Sequence, residues 1–198
     1  MTRVRRDRSR LRARDRRRFD ERLVAPEGNT FARLYLVGEA PGRQEAESGR
    51  PFMGPAGQAL RDMMREAGVN ASLVRLANAI PFRPIERSWE GRYRNRRPTM
   101  QELETYGPLV LADIASVRPK LIGALGKSAA VLFGALMPVE QARGRCFEFQ
   151  GIPVRVTYHP GFVLRFGGRE SRLWRSTVLD LSRFWSEVQT RRRMTRST

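Results

Sequence analysis

Five residues of the chain carry side chains that suit chemistry on a flat, hydrogen-bonding molecule: Glu39, Glu45, Phe52, Asn78 and His159, the single histidine. An aromatic ring offers a face for stacking, and a primary amide donates and accepts hydrogen bonds in one plane. A histidine can donate a proton to a leaving atom, and a carboxylate can hold a water molecule. Together these groups predict a pocket for such a molecule.

The first three of these residues belong to a long loop rich in glycine and proline. Apolar residues 34–37 predict a buried strand, and the helical spacing of apolar side chains predicts a helix over residues 55–67. The glycines between them stop the strand and let the backbone approach a ligand closely. In an α/β fold such a loop lies at the carboxyl end of a strand, where ligands bind.

The remaining elements repeat this alternation of strand and helix. Strands are predicted over residues 34–37, 73–79, 120–125 and 151–158, and helices over residues 55–67, 99–117, 128–133 and 169–189. Thr99 and Glu102 have the spacing of a capping box at the start of the second helix. Four repeats predict an α/β fold, a three-layer α/β/α domain with a central four-stranded parallel sheet. The carboxyl ends of its strands would bring Glu39, Asn78 and His159 to one edge.

The charge of the chain indicates a polyanionic partner. Its 38 basic residues outweigh 20 acidic ones, for a net charge of +18, and all but Lys120 and Lys127 of the basic residues are arginine. Arginine binds phosphate through two parallel hydrogen bonds and stacks on bases, so this composition favours a nucleic acid. If that partner is DNA, Asn78 matches the O4 and N3–H edge of uracil. His159 could donate to O2, and either Glu39 or Glu45 could hold the water.

The basic residues are also concentrated at the ends of the chain. Residues 1–22 hold eleven arginines against four acidic residues and predict a flexible basic arm. Residues 23–190 are then one domain, and residues 191–198 a basic tail. With a single cysteine, no apolar run of membrane-spanning length and a charged N-terminus, we expect a cytoplasmic, monomeric protein that does not bind membranes.

The loop after the first strand resembles motif 1 of the uracil-DNA glycosylase superfamily, and most closely its family-four branch. Residues 38–42 read Gly-Glu-Ala-Pro-Gly, residues 49–52 read Gly-Arg-Pro-Phe, and residues 54–57 read Gly-Pro-Ala-Gly. Residues 157–165, Thr-Tyr-His-Pro-Gly-Phe-Val-Leu-Arg, are similar to the second motif of that branch. The resemblance covers nearly all of residues 33–189.

This resemblance implies a role for each matching residue. Phe52 corresponds to the aromatic residue that stacks on the base, Asn78 to the asparagine that reads uracil, and His159 to the histidine of the second motif. The residues after His-Pro enter the duplex in this superfamily, which here implies DNA contacts by Val163, Leu164 and Arg165. We further predict phosphate contacts by Arg94 and Arg96, because residues 83–97 contain six arginines against two glutamates. Lys127 is expected either to cap a turn or to contact phosphate.

Two departures from the family pattern affect these expectations. The family-four branch holds an iron–sulfur cluster on four cysteines, two of them before motif 1 and the others at about Phe82 and Tyr106; all four are absent here. We therefore expect no cofactor or metal, with aromatic packing in place of the cluster. The branch specific for a single nucleotide has an aspartate and a tyrosine where this chain has Ala40 and Gly42. The smaller residues predict a roomier substrate pocket with a broadened base range.

The sequence thus predicts a monofunctional DNA glycosylase that extrudes uracil, releases the base and leaves an abasic site for base-excision repair. No lysine is placed to form a Schiff base, so strand cleavage is not expected. One alternative is a non-catalytic binder of damaged or abasic DNA that uses the same pocket. A second alternative, a nucleotide or nucleoside hydrolase, would not need the basic arm.

Overall fold

The structure is a computed structural model that describes residues 18–191. Within this range the chain forms nine strands and seven α-helices. The strands are β1 (Phe19–Asp20), β2 (Glu27–Gly28), β3 (Leu34–Gly38), β4 (Val74–Asn78), β5 (Arg83–Arg87), β6 (Tyr93–Asn95), β7 (Leu121–Leu125), β8 (Phe147–Phe149) and β9 (Ile152–Thr157). The helices are α1 (Arg43–Ser48), α2 (Pro55–Glu66), α3 (Met100–Val117), α4 (Lys127–Leu132), α5 (Val139–Ala142), α6 (Pro160–Phe166) and α7 (Arg172–Thr190).

The main sheet has six strands in the order β2-β4-β3-β7-β9-β8. Its four inner strands are parallel and are the four predicted ones, each within one residue of its predicted ends. The predicted count of four was wrong for the whole sheet, because β2 and β8 pair antiparallel along its two edges. Strands of two and three residues are too short to show an apolar pattern in the sequence.

Helices cover both faces of this sheet, as the alternation of strand and helix predicts. Along β3, Leu34 and Leu36 pack on one face with residues of α2 and α7, whereas Tyr35 and Val37 pack on the other face with residues of α3 and α4. All four side chains are fully buried. The two cores fix the sheet between helical layers and hold the carboxyl ends of the parallel strands in place.

The predicted helix starting after Thr99 is confirmed together with its capping box. Thr99 Oγ1 accepts from the Glu102 amide at 3.2 Å, and the Glu102 carboxylate accepts from the Thr99 amide at 2.8 Å. The helix continues through Pro108 to Val117. Within the described residues, no helix has the length and apolar character needed to cross a membrane.

A second, three-stranded sheet in the order β1-β5-β6 takes two of its strands from the arginine-rich residues 83–97, where no strand was predicted. Its central strand β5 forms an antiparallel hairpin with β6, and β1 pairs with the other edge of β5 through Phe19 and Asp20. Phe19 belongs to the predicted basic arm, but its side chain is buried and packs in the core. The end of that arm is therefore part of the folded domain, while residues 1–17 and 192–198, with most of the predicted arm and tail, lie outside the described residues.

Candidate active site

A cleft of about 530 Å³ opens at the carboxyl ends of the parallel strands. It brings together residues that follow β3, β4 and β9, including Glu39, Asn78 and His159. Of the other predicted substrate residues, Glu45, Ala40, Gly42 and Phe52 also line this cleft. Its volume lies in the range of small-molecule sites.

Glu45 acts as a brace within the glycine-rich loop. It is buried in α1, where its Oε2 accepts from the Gly42 amide at 3.0 Å and its Oε1 accepts from the Gly54 amide at 2.8 Å. These two bonds tie the beginning of the loop to its end. A Cβ on Gly42 would lie only 2.7 Å from Glu45 Oε2, so a larger residue would disturb the brace.

Phe52 is held in a strained backbone conformation beside the end of β3. Its φ of 58° lies in the left-handed region that non-glycine residues rarely adopt. The Arg61 guanidinium donates to the Phe52 carbonyl oxygen at 2.7 Å, and a Cβ on Gly57 would lie 1.7 Å from that oxygen. A Cβ on Gly38 would lie 2.6 Å from the Phe52 ring. Glycines at these two positions therefore allow the ring to pack at the floor of the cleft.

Asn78 lies beside this ring with part of its amide unused. The side chain is buried, and a Cβ on Gly38 would lie 2.8 Å from its Oδ1. Its Nδ2 finds no hydrogen-bond acceptor among residues 18–191. Leaving a buried donor unsatisfied costs about 1–3 kcal/mol. The arrangement therefore suits a ligand that brings its own acceptor into the cleft.

His159 lies in the short connection between β9 and α6 and is the N-cap of α6. Its Nδ1 accepts from the Gly161 amide at 3.1 Å, so the proton of the neutral ring resides on Nε2. Burial, together with the positive charge of Arg97, lowers the pKa of His159 to about 4, against a smaller opposing effect of the Glu45 carboxylate. A Cβ on Gly126, whose φ is +85°, would lie 2.8 Å from His159 Cβ. The ring is thus a neutral donor held in a fixed orientation.

Glu39 is the second carboxylate of the cleft, and it differs from Glu45 in its surroundings. Its Oε2 accepts from Ser128 Oγ in α4 at 3.0 Å. Burial raises the pKa of Glu39 above its ordinary value, against the opposing effects of Ser128 and Arg97. A raised pKa makes the ionised carboxylate a better proton acceptor.

The predicted DNA-contacting residues after His159 are only partly accessible. Leu164 and Arg165 are exposed, and Arg165 lines the cleft. Val163, by contrast, is fully buried in the core and offers no exposed surface to DNA in this structure. Sequence reasoning also missed Phe162, which stacks on Tyr158 with ring centroids 5.9 Å apart and lines the cleft.

The three predicted phosphate contacts also differ in availability. Lys127 is exposed at the first residue of α4, and exposed Arg94 pairs with Glu86 at 2.9 Å. Arg96 instead donates to both oxygens of Glu102 at 2.6 and 2.7 Å, with only 14% of its side chain exposed. Its guanidinium therefore supports the fold, although Arg96 also lines the cleft. Arg97 was not predicted, although it is exposed and lines the cleft.

Aromatic side chains occupy Phe82 and Tyr106, the two positions at which the resemblance implies cluster cysteines in the family-four branch. The rings of Phe82 and Tyr106 lie 5.4 Å apart, and Phe19 packs edge-on against Tyr106 at 5.4 Å and against Phe82 at 6.4 Å. The guanidinium of Arg96 lies 5.5 Å from the centre of the Phe19 ring. Thiolates hold such clusters, and the one cysteine, Cys146, is exposed in the segment before β8. These residues do not fit an iron–sulfur cluster.

Comparisons with known proteins agree with this geometry. The profile of the uracil DNA glycosylase superfamily matches residues 25–183. The Type-4 uracil-DNA glycosylase of Thermotoga maritima is 34% identical over 170 residues, a match that spans 84% of this chain and 83% of the relative. The enzyme of the same description from Pyrobaculum aerophilum is 33% identical over 157 residues, 75% of this chain and 76% of the relative.

A solved structure shows the same fold at a greater distance in sequence. The crystal structure of wild-type SMUG2 from Pedobacter heparinus superposes with a TM-score of 0.55 and 14% identity, covering 80% of this chain and 75% of that one. The profile match extends over more than half of the chain, and the relatives match most of its length. The chain therefore belongs to the uracil-DNA glycosylase superfamily.

Proposed function

We propose that the protein removes uracil from DNA by hydrolysing the N-glycosidic bond. The observation that carries this proposal is that one cleft holds both the neutral Nε2–H donor of His159 and the Nδ2 of Asn78, which has no acceptor among residues 18–191. The relatives described as Type-4 uracil-DNA glycosylases support the same activity. The high positive charge of the chain supports DNA as the substrate.

Recognition begins when the target nucleotide leaves the base stack and enters the cleft. The uracil ring would stack on Phe52. Asn78 Nδ2 would donate to uracil O4 while its Oδ1 accepts from N3–H. Cytosine, which carries an amino group at position 4, would face the Nδ2 donor with another donor. The orientation of the Asn78 amide thus selects uracil over cytosine.

His159 would act as the bond between C1′ and N1 breaks. The bonding electron pair moves into the base, where negative charge gathers on O2. Nε2–H is a neutral donor that interacts more strongly with this developing anion than with the ground-state carbonyl, which accelerates the reaction. A neutral imidazole can play this part at pH 7 because the pKa of His159 is about 4.

Glu39 would position the attacking water. The water oxygen bonds to C1′, its proton passes to the Glu39 carboxylate, and that proton is later released to solvent. Glu45 has both oxygens bonded to loop amides, so of the two carboxylates Glu39 is the better placed for this role. The choice that the sequence left open is thereby assigned to Glu39.

We also propose that the enzyme is monofunctional and accepts other deaminated bases. A glycosylase that cuts the strand needs an amine to form a Schiff base. The chain has two lysines: Lys120 donates to the Val188 carbonyl at 3.0 Å, and Lys127 is not among the residues that line the cleft. Ala40 and Gly42, which line the cleft, present no bulky side chain that would exclude other bases.

The DNA-binding surface that we propose combines Leu164 and Arg165 with the exposed basic residues Arg94, Arg97 and Lys127. The basic arm and tail would add affinity through phosphates without adding base specificity. We propose that the protein acts as a monomer.

The test is single-turnover excision by the purified full-length chain on a DNA oligonucleotide with one uracil, compared with matched oligonucleotides that contain hypoxanthine, xanthine or thymine. We expect free uracil and an intact strand with an abasic site. Tight binding to uracil-containing or abasic DNA without base release would contradict the proposal and favour the non-catalytic binder. Release of the base from the free nucleoside, at a rate that undamaged competitor DNA does not change, would favour a nucleoside hydrolase.

A further inference from the structure

The hairpin of β5 and β6 ends in an exposed tryptophan. Trp89 is 93% exposed, the most of any large apolar side chain in the described part of the chain, and Tyr93 on the same hairpin is 60% exposed. The other two tryptophans of the chain, Trp174 and Trp185, are 2% and 8% exposed. Two aromatic rings are therefore presented to solvent by one short element.

The hairpin presents these rings on a formed turn. The Ser88 amide donates to the Arg92 carbonyl at 2.8 Å, and the Gly91 amide donates to the Ser88 carbonyl at 2.9 Å. Gly91 has a φ of +80°, a conformation that glycine adopts without strain in such a turn. Because the turn is already hydrogen-bonded, little backbone order would have to be gained when the rings bind a partner.

The hairpin is also continuous with the cleft. Residues that pair directly across an antiparallel ladder share a face, and the pairs Ile85–Asn95 and Arg87–Tyr93 alternate with Glu86–Arg94. Asn95 lines the cleft, so the face that borders the substrate continues to Tyr93, about 7 Å further along the strand. A DNA strand that leaves the cleft on this side would pass along the hairpin.

The charges around the two rings identify the kind of partner. Of the six arginines in residues 83–97, four are exposed, against two exposed glutamates: Arg87, Arg92, Arg94 and Arg97, with Glu86 and Glu90. Exposed pairs such as Arg92–Glu90 at 3.6 Å and Arg94–Glu86 at 2.9 Å are weak and can exchange for phosphate. Aromatic rings interleaved with arginines are typical of surfaces that bind single-stranded nucleic acid. The net charge of +18 also favours a polyanion as the partner.

We propose that the β5–β6 hairpin is a stacking platform for unpaired bases beside the extruded nucleotide, and that the protein consequently prefers single-stranded DNA. An exposed ring can stack only on an exposed base face, and the base faces of a duplex are covered by their neighbours. The arginines would hold the backbone while Trp89 and Tyr93 stack on bases. This inference rests on the proposed function in that the cleft takes a nucleotide from a DNA strand.

The experiment uses the emission of Trp89, because the other tryptophans are buried. The full-length protein is titrated with a uracil-free single strand of about 12 nucleotides and with its duplex. Affinities are measured for the wild type, Trp89→Ala and Trp89→Phe. Leu136→Ala is the matched control, since Leu136 is 71% exposed between α4 and α5 and does not line the cleft.

We expect the single strand to quench the tryptophan emission and Trp89→Ala to weaken single-strand binding about tenfold. Trp89→Phe and Leu136→Ala should bind like the wild type, and affinity for the duplex should not change. The proposal would be overturned if the single strand did not quench the emission, or if Trp89→Ala lost affinity equally for single strand and duplex. It would also be overturned if Trp89→Ala kept the wild-type affinity, and a protein would then be the remaining candidate partner of the hairpin.

Uracil release is measured separately on the same proteins. Quenching and Trp89-dependent binding without uracil release would support the platform and overturn the glycosylase activity. Uracil release without quenching would support the glycosylase activity and overturn the platform.

Discussion

The loop after β4 contributes to two regions of opposite character. Asn78, at the end of the strand, leaves its buried Nδ2 without an acceptor among the described residues, and nearby His159 has a proton free on Nε2. Four residues later, Phe82 packs its ring between Phe19 and Tyr106. Arg96, above this cluster, donates to both carboxylate oxygens of Glu102. The cleft keeps hydrogen-bonding capacity for a substrate, whereas the aromatic cluster is satisfied within the fold. Stability and chemistry are therefore separable here.

The largest expected effect belongs to the aromatic cluster. Phe82→Ala should lower the free energy of unfolding by about 3–5 kcal/mol, because it opens a cavity in a fully packed site. Urea denaturation measures this loss. The excision rate of the remaining folded protein should stay near that of the wild type. A loss below about 1 kcal/mol would mean that the three rings do not replace the cluster as a stabilising element.

His159→Ala should have the largest effect in the cleft. Removal of a donor aimed at developing negative charge costs on the order of a hundredfold or more in rate, about 3–4 kcal/mol. Affinity for uracil-containing DNA should change little, since the interaction strengthens only in the transition state. Single-turnover rates and affinities on one oligonucleotide provide the comparison. Equal losses in the single-turnover rate and in DNA affinity would show that His159 does not act in the chemical step.

Substitutions of the two cleft carboxylates, Glu39 and Glu45, should likewise separate an effect on the excision rate from an effect on stability. Glu39→Gln should lower the excision rate about a hundredfold while leaving the melting temperature near that of the wild type. The wild-type rate should fall as pH falls through the raised pKa of Glu39, because only the ionised group accepts a proton; the variant should lack this acid limb.

Glu45→Gln is the matched control for this pair. It weakens the bonds to Gly42 and Gly54 and should therefore lower the melting temperature. A rate loss without loss of stability in Glu45→Gln would reverse the assignment of the two roles.

A sequence prediction for a site residue succeeded where the position of the residue is set by the pattern of strands, and failed where it is set by the folded path of a loop. Glu39, Asn78 and His159 could be placed together because each follows a parallel strand, and the carboxyl ends of such strands share an edge. The role of Glu45 could not be foreseen, because its partner Gly54 is brought close only by the path of the folded loop.

The segments that were missed lack a local pattern. Phe19 stands among charged residues, and the hairpin strands β5 and β6 are short and rich in arginine, so no alternation marks them. Val163 and Leu164 are adjacent apolar residues, and only the packing of α6 shows that one is buried and the other exposed.

Asn78→Ala should have a smaller effect than the changes in the catalytic groups. The loss of its two hydrogen bonds to the base should cost about 1–3 kcal/mol in excision efficiency. Asn78→Asp should raise excision of cytosine relative to uracil, because a carboxylate accepts from the exocyclic amine. Competition between the two bases in matched oligonucleotides measures the ratio. Unchanged uracil excision by Asn78→Ala would show that Asn78 does not contact the base.

The state of His159 also sets a dependence of stability on pH. Its pKa is about 4 in the folded chain and 6.5 for an ordinary histidine, so between these values the unfolded chain binds a proton that the folded chain does not. The contribution of His159 to stability should therefore be complete above pH 6.5 and decrease as pH falls toward 4.

The most direct test of the neutral donor is a pH titration of the full-length protein by ¹⁵N NMR with labelled histidine. His159 is the only histidine, so its signals need no assignment by mutation. We predict a neutral ring with its proton on Nε2 from neutral pH down to a pKa of about 4. A pKa at or above 6.5, or a proton on Nδ1 in the neutral ring, would contradict this account.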